Sequence, residues 1–301
     1  MSGVRYERIP LATGVTLKVA LAGPEDAPPI ILLHGFPESH RTWRNQIADL
    51  SRDYRVIAPD QRGFAGSDKP KGVENYHTDK IVADVLALAD ALGVKHFTLA
   101  GHDWGGAVAW TAALTHPLRV KRLIICNAPH PYLFQKSLIE DEAQREASQY
   151  ITYLRSPLAE AGITVMGLDR FLDKVLLSHS DATKFPEEER EAYLADWREP
   201  GAVTAMLNWY RGSRIEVPKP GEEAKAPLWT RAPFPALRMP VLVVWGLKDP
   251  ALLPVQLAGL HDLVKDLRLV TSTTAGHFIT WEEPGTVTSA IRDFLGETEA
   301  R

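Results

Sequence analysis

The sequence predicts an α/β protein: a mostly parallel sheet with helices on both faces, interrupted once by a helical insertion. Three observations carry this. Short continuous apolar runs recur at residues 30–33, 54–58, 97–100, 123–126, 241–245 and 267–270, and a run without polar alternation marks a strand buried on both faces. Helical patterns lie between many of them, at residues 81–92, 107–114 and 287–294, and alternating strands and helices imply a parallel sheet. Between about residues 131 and 235 the strand rhythm stops and the pattern turns helical and aromatic, resuming at Val241.

Taken in order, two short strands at residues 5–10 and 16–22 precede a Pro-rich turn and the first buried run. Pro/Gly-rich segments at residues 217–221 and 232–240 flank the far end of the insertion, as expected of connections that continue neither helix nor sheet. The division this implies is a core of residues 1–130 and 236–301 with a helical lid, or cap, of residues 131–235. No internal repeat or low-complexity segment interrupts it.

The 301 residues suffice for a large α/β domain with an insertion. A net charge of −4 without a Lys/Arg block gives no reason to expect nucleic acid or an anionic membrane as partner. No stretch approaches the ~20 apolar residues that span a bilayer, and the first ten residues lack the apolar segment of a secretory leader. The single cysteine, Cys126, sits within an apolar run, which excludes an intramolecular disulfide and reads as a buried thiol. A cytoplasmic location is expected; the oligomeric state is left open, a homodimer being one option.

The chemistry centres on Gly101, His102, Asp103, Trp104, Gly105 and Gly106. This has the shape of a nucleophile elbow, a sharp strand-to-helix turn flanked by small residues, with aspartate where serine usually stands. A carboxylate there suits attack on a saturated carbon bearing a leaving group, giving an alkyl ester. The alternative for an aspartate at such a turn is a helix N-cap. An ester needs a base for its hydrolysis and a group to orient that base. His277, in Thr274 to Phe278 just past the run 267–270, would lie at the carboxyl edge of the sheet. Asp249 follows the run 241–245 and supplies the acid, so the chain order is nucleophile, acid, histidine. Alone, Asp249 before Pro250 is a turn starter and His277 a packed histidine; the ordered triple points to catalysis. The turn His34, Gly35, Phe36, Pro37 after the first buried run can aim the Phe36 N–H at the same point as the Trp104 N–H, forming an oxyanion hole. His34 is expected to hold that turn.

With these residues in hand, the chain resembles α/β hydrolases of the epoxide hydrolase and dehalogenase group. The elbow, the turn at residues 34–38 and the segment Asp60 to Ser67 carry the likeness, which runs over nearly the whole chain. The resemblance implies an α/β hydrolase fold, no cofactor and no metal, a cis Phe36–Pro37 bond, and a structural role for the 60–67 segment with Arg62 tying down loops. It also implies two lid tyrosines that donate to an epoxide oxygen. Leu207 to Arg211 matches one tyrosine motif, making Tyr210 the first donor. Tyr153, with Pro157, Ala159 and Glu160, matches the other with one residue fewer after the proline; Tyr153 is taken as the second donor, the choice between it and Tyr150 staying open. Trp104, Phe36, Trp209 and Tyr150 are expected pocket walls, and Phe134 and Phe171 core residues able to serve as walls.

Fluoroacetate dehalogenases have arginines where this chain has Trp104 and Ala107, and a His–Trp pair where it has Tyr150 and Ile151. Many haloalkane dehalogenases have an asparagine at Phe36, and some carry their acid where Asn127 stands. The implied activity is therefore addition of water to a small-molecule epoxide, giving a vicinal diol. A dehalogenase acting on a halogenated substrate is the alternative, and a lid-gated binding protein on the same fold the third.

Overall fold

In a computed structural model describing residues 3–231 and 234–299, the strands β1 (Arg5–Pro10), β2 (Thr16–Ala22), β3 (Pro29–Leu33), β4 (Arg55–Pro59), β5 (Phe97–His102), β6 (Val120–Cys126), β7 (Leu237–Gly246) and β8 (Val264–Ser272) form one sheet. Its order is β1-β2-β4-β3-β5-β6-β7-β8. The pairs β1–β2 and β2–β4 are antiparallel, and the pairing from β4 through β8 is parallel. Between β3 and β6 lie α1 (Arg44–Leu50), α2 (Thr78–Ala91) and α3 (Trp104–Thr115). Residues 131–211 contribute α4 (Pro131–Glu140), α5 (Glu142–Ala147), α6 (Gln149–Arg155), α7 (Ala159–Met166), α8 (Leu168–Val175), α9 (Glu187–Trp197) and α10 (Ala202–Arg211). After β7 come α11 (Leu260–Leu263), α12 (Ile279–Glu282) and α13 (Pro284–Glu299).

The continuous apolar runs are what cover the sheet twice. Because successive strand side chains point to opposite faces, Ile31, Leu33, Ile57 and Leu99 join the apolar layer built with α2, α3 and the helical insertion. Ile30, Leu32, Val56 and Ala100 join the layer built with Ile47 and Leu50 of α1 and Val287, Ile291 and Phe294 of α13. Cys126 is a buried free thiol in this second layer.

Two expectations are corrected. The run at residues 267–270 belongs to β8, which pairs only with β7 among the described residues, so its residues are partly exposed and Leu269 reaches 39% exposure. An apolar run thus marks a strand but not double burial. The connection expected at residues 232–240 is shorter, because β7 begins at Leu237; Pro240 lies within the strand where the pairing with β8 is irregular, the place in a ladder that tolerates a missing N–H. Ala232 and Pro233 lie outside the described residues.

The loop after β4 is pinned as the resemblance implied. The Arg62 guanidinium makes a two-pronged bond to the Asp84 carboxylate of α2, with Nη2 to Oδ1 at 2.6 Å, and donates to the Asn75 carbonyl at 2.7 Å. Both side chains are 3% exposed. Removing one member of a buried pair strands the other charge. Arg62→Met is expected to destabilise the protein by roughly 3–5 kcal/mol in denaturant unfolding; a loss below about 1 kcal/mol, the range of a surface pair, would show that this pair does not pin the loop.

Candidate active site

Asp103 joins β5 to α3 with φ 50° and ψ −123°, a conformation that non-glycine residues adopt at a cost and that concentrates at functional turns. Close approach makes the turn possible: a Cβ at Gly105 would strike the carbonyl oxygens of Leu33 and His34, and one at Gly35 would strike the Asp103 side chain. Although Asp103 stands at the N-cap position of α3, its side chain makes no capping bond. Its carboxylate instead accepts the Phe36 N–H at 2.7 Å through Oδ1, and the neighbouring Trp104 N–H acts on it electrostatically. These are the two donors expected of the oxyanion hole, and the Phe36–Pro37 bond is cis.

His277 and Asp249 arrive from the ends of β8 and β7. The Asp103 Oδ2 lies 3.5 Å from His277 Nε2, and His277 Nδ1 lies 2.7 Å from Asp249 Oδ2. Asp249 is fully braced: Oδ1 accepts the Ala251 and Leu252 N–H groups at 2.9 Å, and Oδ2 accepts Asn127 Nδ2 at 2.8 Å. Asn127 accepts the Gly246 N–H at 2.8 Å through Oδ1, so this residue at the end of β6 supports the acid that follows the next strand. His34 is buried and structural, accepting the Gln61 N–H at 2.9 Å through Nε2.

Over this row stand α6 and α10. The Tyr150 and Tyr210 rings meet edge-on with centroids 6.1 Å apart, and the Asp103 carboxylate acts electrostatically on both phenols. The Tyr210 ring packs edge-on against Phe36, with centroids 4.9 Å apart, and against Trp104 at 5.2 Å. Arg155 of α6 donates to the Tyr210 carbonyl at 2.8 Å, fixing one helix to the other. Asp103, Tyr150 and Tyr210 line two cavities, one of about 590 Å³ and one of about 160 Å³. Trp104 and Phe134 wall the larger; Phe36, Phe171 and His277 wall the smaller.

The structure does not support Tyr153 as the second donor. One helical turn further along α6, it is 41% exposed, its ring lies 5.6 Å beneath the Lys174 ammonium, and its hydroxyl abuts Gly162. Tyr153 lines the outer part of the smaller cavity, and Tyr150 takes the place facing Tyr210. Trp209 is not a pocket wall either: it points from α10 to the core side, where its indole donates to the Arg62 carbonyl at 3.0 Å.

Sequence reasoning missed a layer beneath the triad. His102, next to the elbow aspartate, lies 2.9 Å from the His277 carbonyl through Nε2 and 3.4 Å from the buried Glu38 through Nδ1. Glu38 also accepts the Trp281 indole at 3.1 Å and the Tyr193 hydroxyl at 3.2 Å. Their only signal was adjacency to the elbow and the Phe36 turn. Among the described residues no group of three or more His, Cys, Asp or Glu is arranged to hold a metal ion, and no helix is long and apolar enough to cross a membrane.

A family model described as the alpha/beta hydrolase fold matches residues 28–284. The AB hydrolase superfamily protein YfhM of Bacillus subtilis is 37% identical, covering 98% of this chain and 99% of its own. Epoxide hydrolase 3 of Xenopus tropicalis is 32% identical over 95% of this chain and 76% of its own. A solved structure described among novel epoxide hydrolases from metagenomes of hot environments superposes with a TM-score of 0.91 at 46% identity, covering 97% of this chain and 98% of its own.

Electrostatics set the resting state. Burial alone would depress the His277 pKa, yet the Asp249 and Asp103 carboxylates raise it well above the usual histidine value. Burial would raise both carboxyls, but His277 and the surrounding N–H donors hold them below the usual range. The two carboxylates thus favour the protonated form of the imidazole between them. Neutralising Asp103 removes one of the two charges that keep the proton there. In Asp103→Asn the His277 pKa, followed by NMR titration of the imidazole, is expected to fall relative to wild type; an unchanged or higher value would mean that Asp103 does not hold the proton.

Proposed function

The chain belongs to the α/β hydrolase family and, within it, to the epoxide hydrolases, and from that premise we propose how its residues add water to an epoxide to give a vicinal diol. Tyr150 and Tyr210 donate to the epoxide oxygen. Burial, and then the nearby negative charge, push both phenols above their usual pKa, so each keeps the proton it must offer. Asp103 Oδ2 attacks a ring carbon in line with the breaking C–O bond, while Oδ1 stays on the Phe36 and Trp104 N–H groups. The product is an alkyl ester on Asp103.

Ring opening leaves an alkoxide that takes a proton from the tyrosines; because the ester is neutral, the imidazolium loses one of its stabilising charges and returns a proton through solvent to the tyrosines, which leaves His277 as the base. Water enters beside Nε2, gives up its proton to His277 and attacks the ester carbonyl. Asp249 holds the ring in orientation, and the Phe36 and Trp104 N–H groups carry the tetrahedral oxyanion. Collapse expels the diol's alkoxide, which takes a proton from the new carboxylic acid at Asp103; the diol leaves with one oxygen from Asp103, the water oxygen stays in the regenerated carboxylate, and His277 keeps the proton it took from water. In this reading residues 131–235 act as a cap over a core of residues 1–130 and 236–301, bringing the tyrosines to the sheet edge. Substrate and water are the only partners the scheme needs.

The observation that carries the reading is the pair of tyrosine hydroxyls sharing both cavities with Asp103. A departing alkoxide needs O–H donors to develop its charge, whereas a halide does not. The two phenols beside Asp103 therefore favour the epoxide over a halogenated substrate. Tyr150→Phe is expected to slow diol formation from styrene oxide by roughly a hundredfold or more, while Tyr153→Phe leaves it close to wild type. Equal losses in the two variants, or a loss in Tyr153→Phe alone, would return the donor role to Tyr153.

A further inference from the structure

His277 is held by more than its ring. Its carbonyl faces His102, and its own N–H donates to the His179 carbonyl at 3.2 Å. His179 belongs to the insertion and lines the smaller cavity. The residues on either side of His277 converge on one side chain. Glu282, at the end of α12 and 4% exposed, accepts the Phe278 N–H at 2.9 Å through Oε1 and the Gly276 N–H at 3.1 Å through Oε2. The same Oε2 accepts the Asp181 N–H at 3.1 Å. Gly276 has to be glycine for this seam to close, since a Cβ there would lie 2.6 Å from the His179 carbonyl oxygen.

We propose that Glu282 is a positioning residue for His277: its carboxylate clamps the backbone on both sides of the base and ties that loop to the 179–181 segment of the cap, so that the base is aligned for ester hydrolysis only with the cap seated. A carboxylate suits this task because it has acceptor sites on both oxygens and no donor, and three N–H groups offset part of its burial, which still holds its pKa above the usual carboxylate value. The inference rests on the covalent scheme above. There His277 acts as base only in the second step, whereas alkylation needs Asp103 and the tyrosines. Loosening the clamp should therefore slow hydrolysis selectively. A purely structural glutamate would lower stability without changing how the two steps divide.

Two variants separate these outcomes. Glu282→Gln keeps the shape but turns an N–H donor toward at least one backbone N–H. Asp181→Pro removes the cap's donor at a residue whose φ of −78° suits proline and whose predecessor Ser180 is extended; it also loses the Asp181 carboxylate's bonds to Thr183, so its effect is read against Asp181→Ala, which loses those bonds but keeps the N–H. Rapid-quench intact mass spectrometry with styrene oxide follows the alkyl-enzyme. In Glu282→Gln, hydrolysis should slow by about tenfold or more, the scale of a misplaced catalytic group, with alkylation nearly unchanged, so the alkyl-enzyme accumulates at steady state. Asp181→Pro should slow hydrolysis by about threefold, the scale of one lost hydrogen bond; should Glu282→Gln not fold, this variant decides alone. His277→Gln is the control: if it accumulates no adduct, the covalent scheme fails. If it does accumulate adduct while both folded variants, or Asp181→Pro alone, partition as wild type, Glu282 does not position the base.

Discussion

Two buried carboxylates share one imidazole, and the rest of the molecule is arranged around making that tolerable. Burying Asp103 and Asp249 within reach of a single His277 leaves a net negative charge in a weakly polar setting, which is costly unless each lone pair is met. Each is met by backbone or amide donors: Phe36 and Trp104 on one side, Ala251, Leu252 and Asn127 on the other. Those donors are where they are because the parallel strands β3, β5, β6 and β7 end side by side, each delivering one loop to the same edge. The strained φ at Asp103 is a further consequence, since only that turn points the carboxylate out of the sheet toward the histidine.

The same electrostatics give the proposed reaction its order. Two carboxylates favour the charged form of the base, Asp249 first and then Asp103, and alkylation removes the charge of Asp103. Formation of the ester thus prepares its own hydrolysis without any movement of the core. In the proposed scheme the cap contributes what the sheet edge lacks, two phenol hydroxyls from Tyr150 and Tyr210, which with Asp103 line both cavities. Bonds from Trp197 to the Pro37 carbonyl at 2.9 Å, from Trp209 to the Arg62 carbonyl and from Arg41 to Glu189 at 2.7 Å fasten this layer to the core.

Much of this is legible in the sequence. Apolar runs locate the strands, and the elbow, acid and histidine follow in an order that the strand ends then bring together. What was not legible depends on orientation across a packed interface. Tyr150 and Tyr153 stand on one helix before the same proline, and spacing alone favoured Tyr153; only the rotation of α6 against α10 turns Tyr150 toward Tyr210 and leaves Tyr153 beneath Lys174. Trp209 was read as a wall because it adjoins Tyr210, yet neighbours on a helix face differently, and it anchors the helix from behind. The edge position of β8 could not be read from its apolar run, since strand order is a property of the assembled sheet. The roles of Glu38, Asn127 and Glu282 are set by the atoms they touch, which no motif states.

The central claim is that water attacks an ester carbonyl on Asp103 and never the epoxide itself. With enzyme in excess over epoxide in isotopically labelled water, the first diol released should be unlabelled and the label should appear in the Asp103 carboxylate. Diol labelled at full yield in that first turnover would mean direct attack by water and would contradict the account.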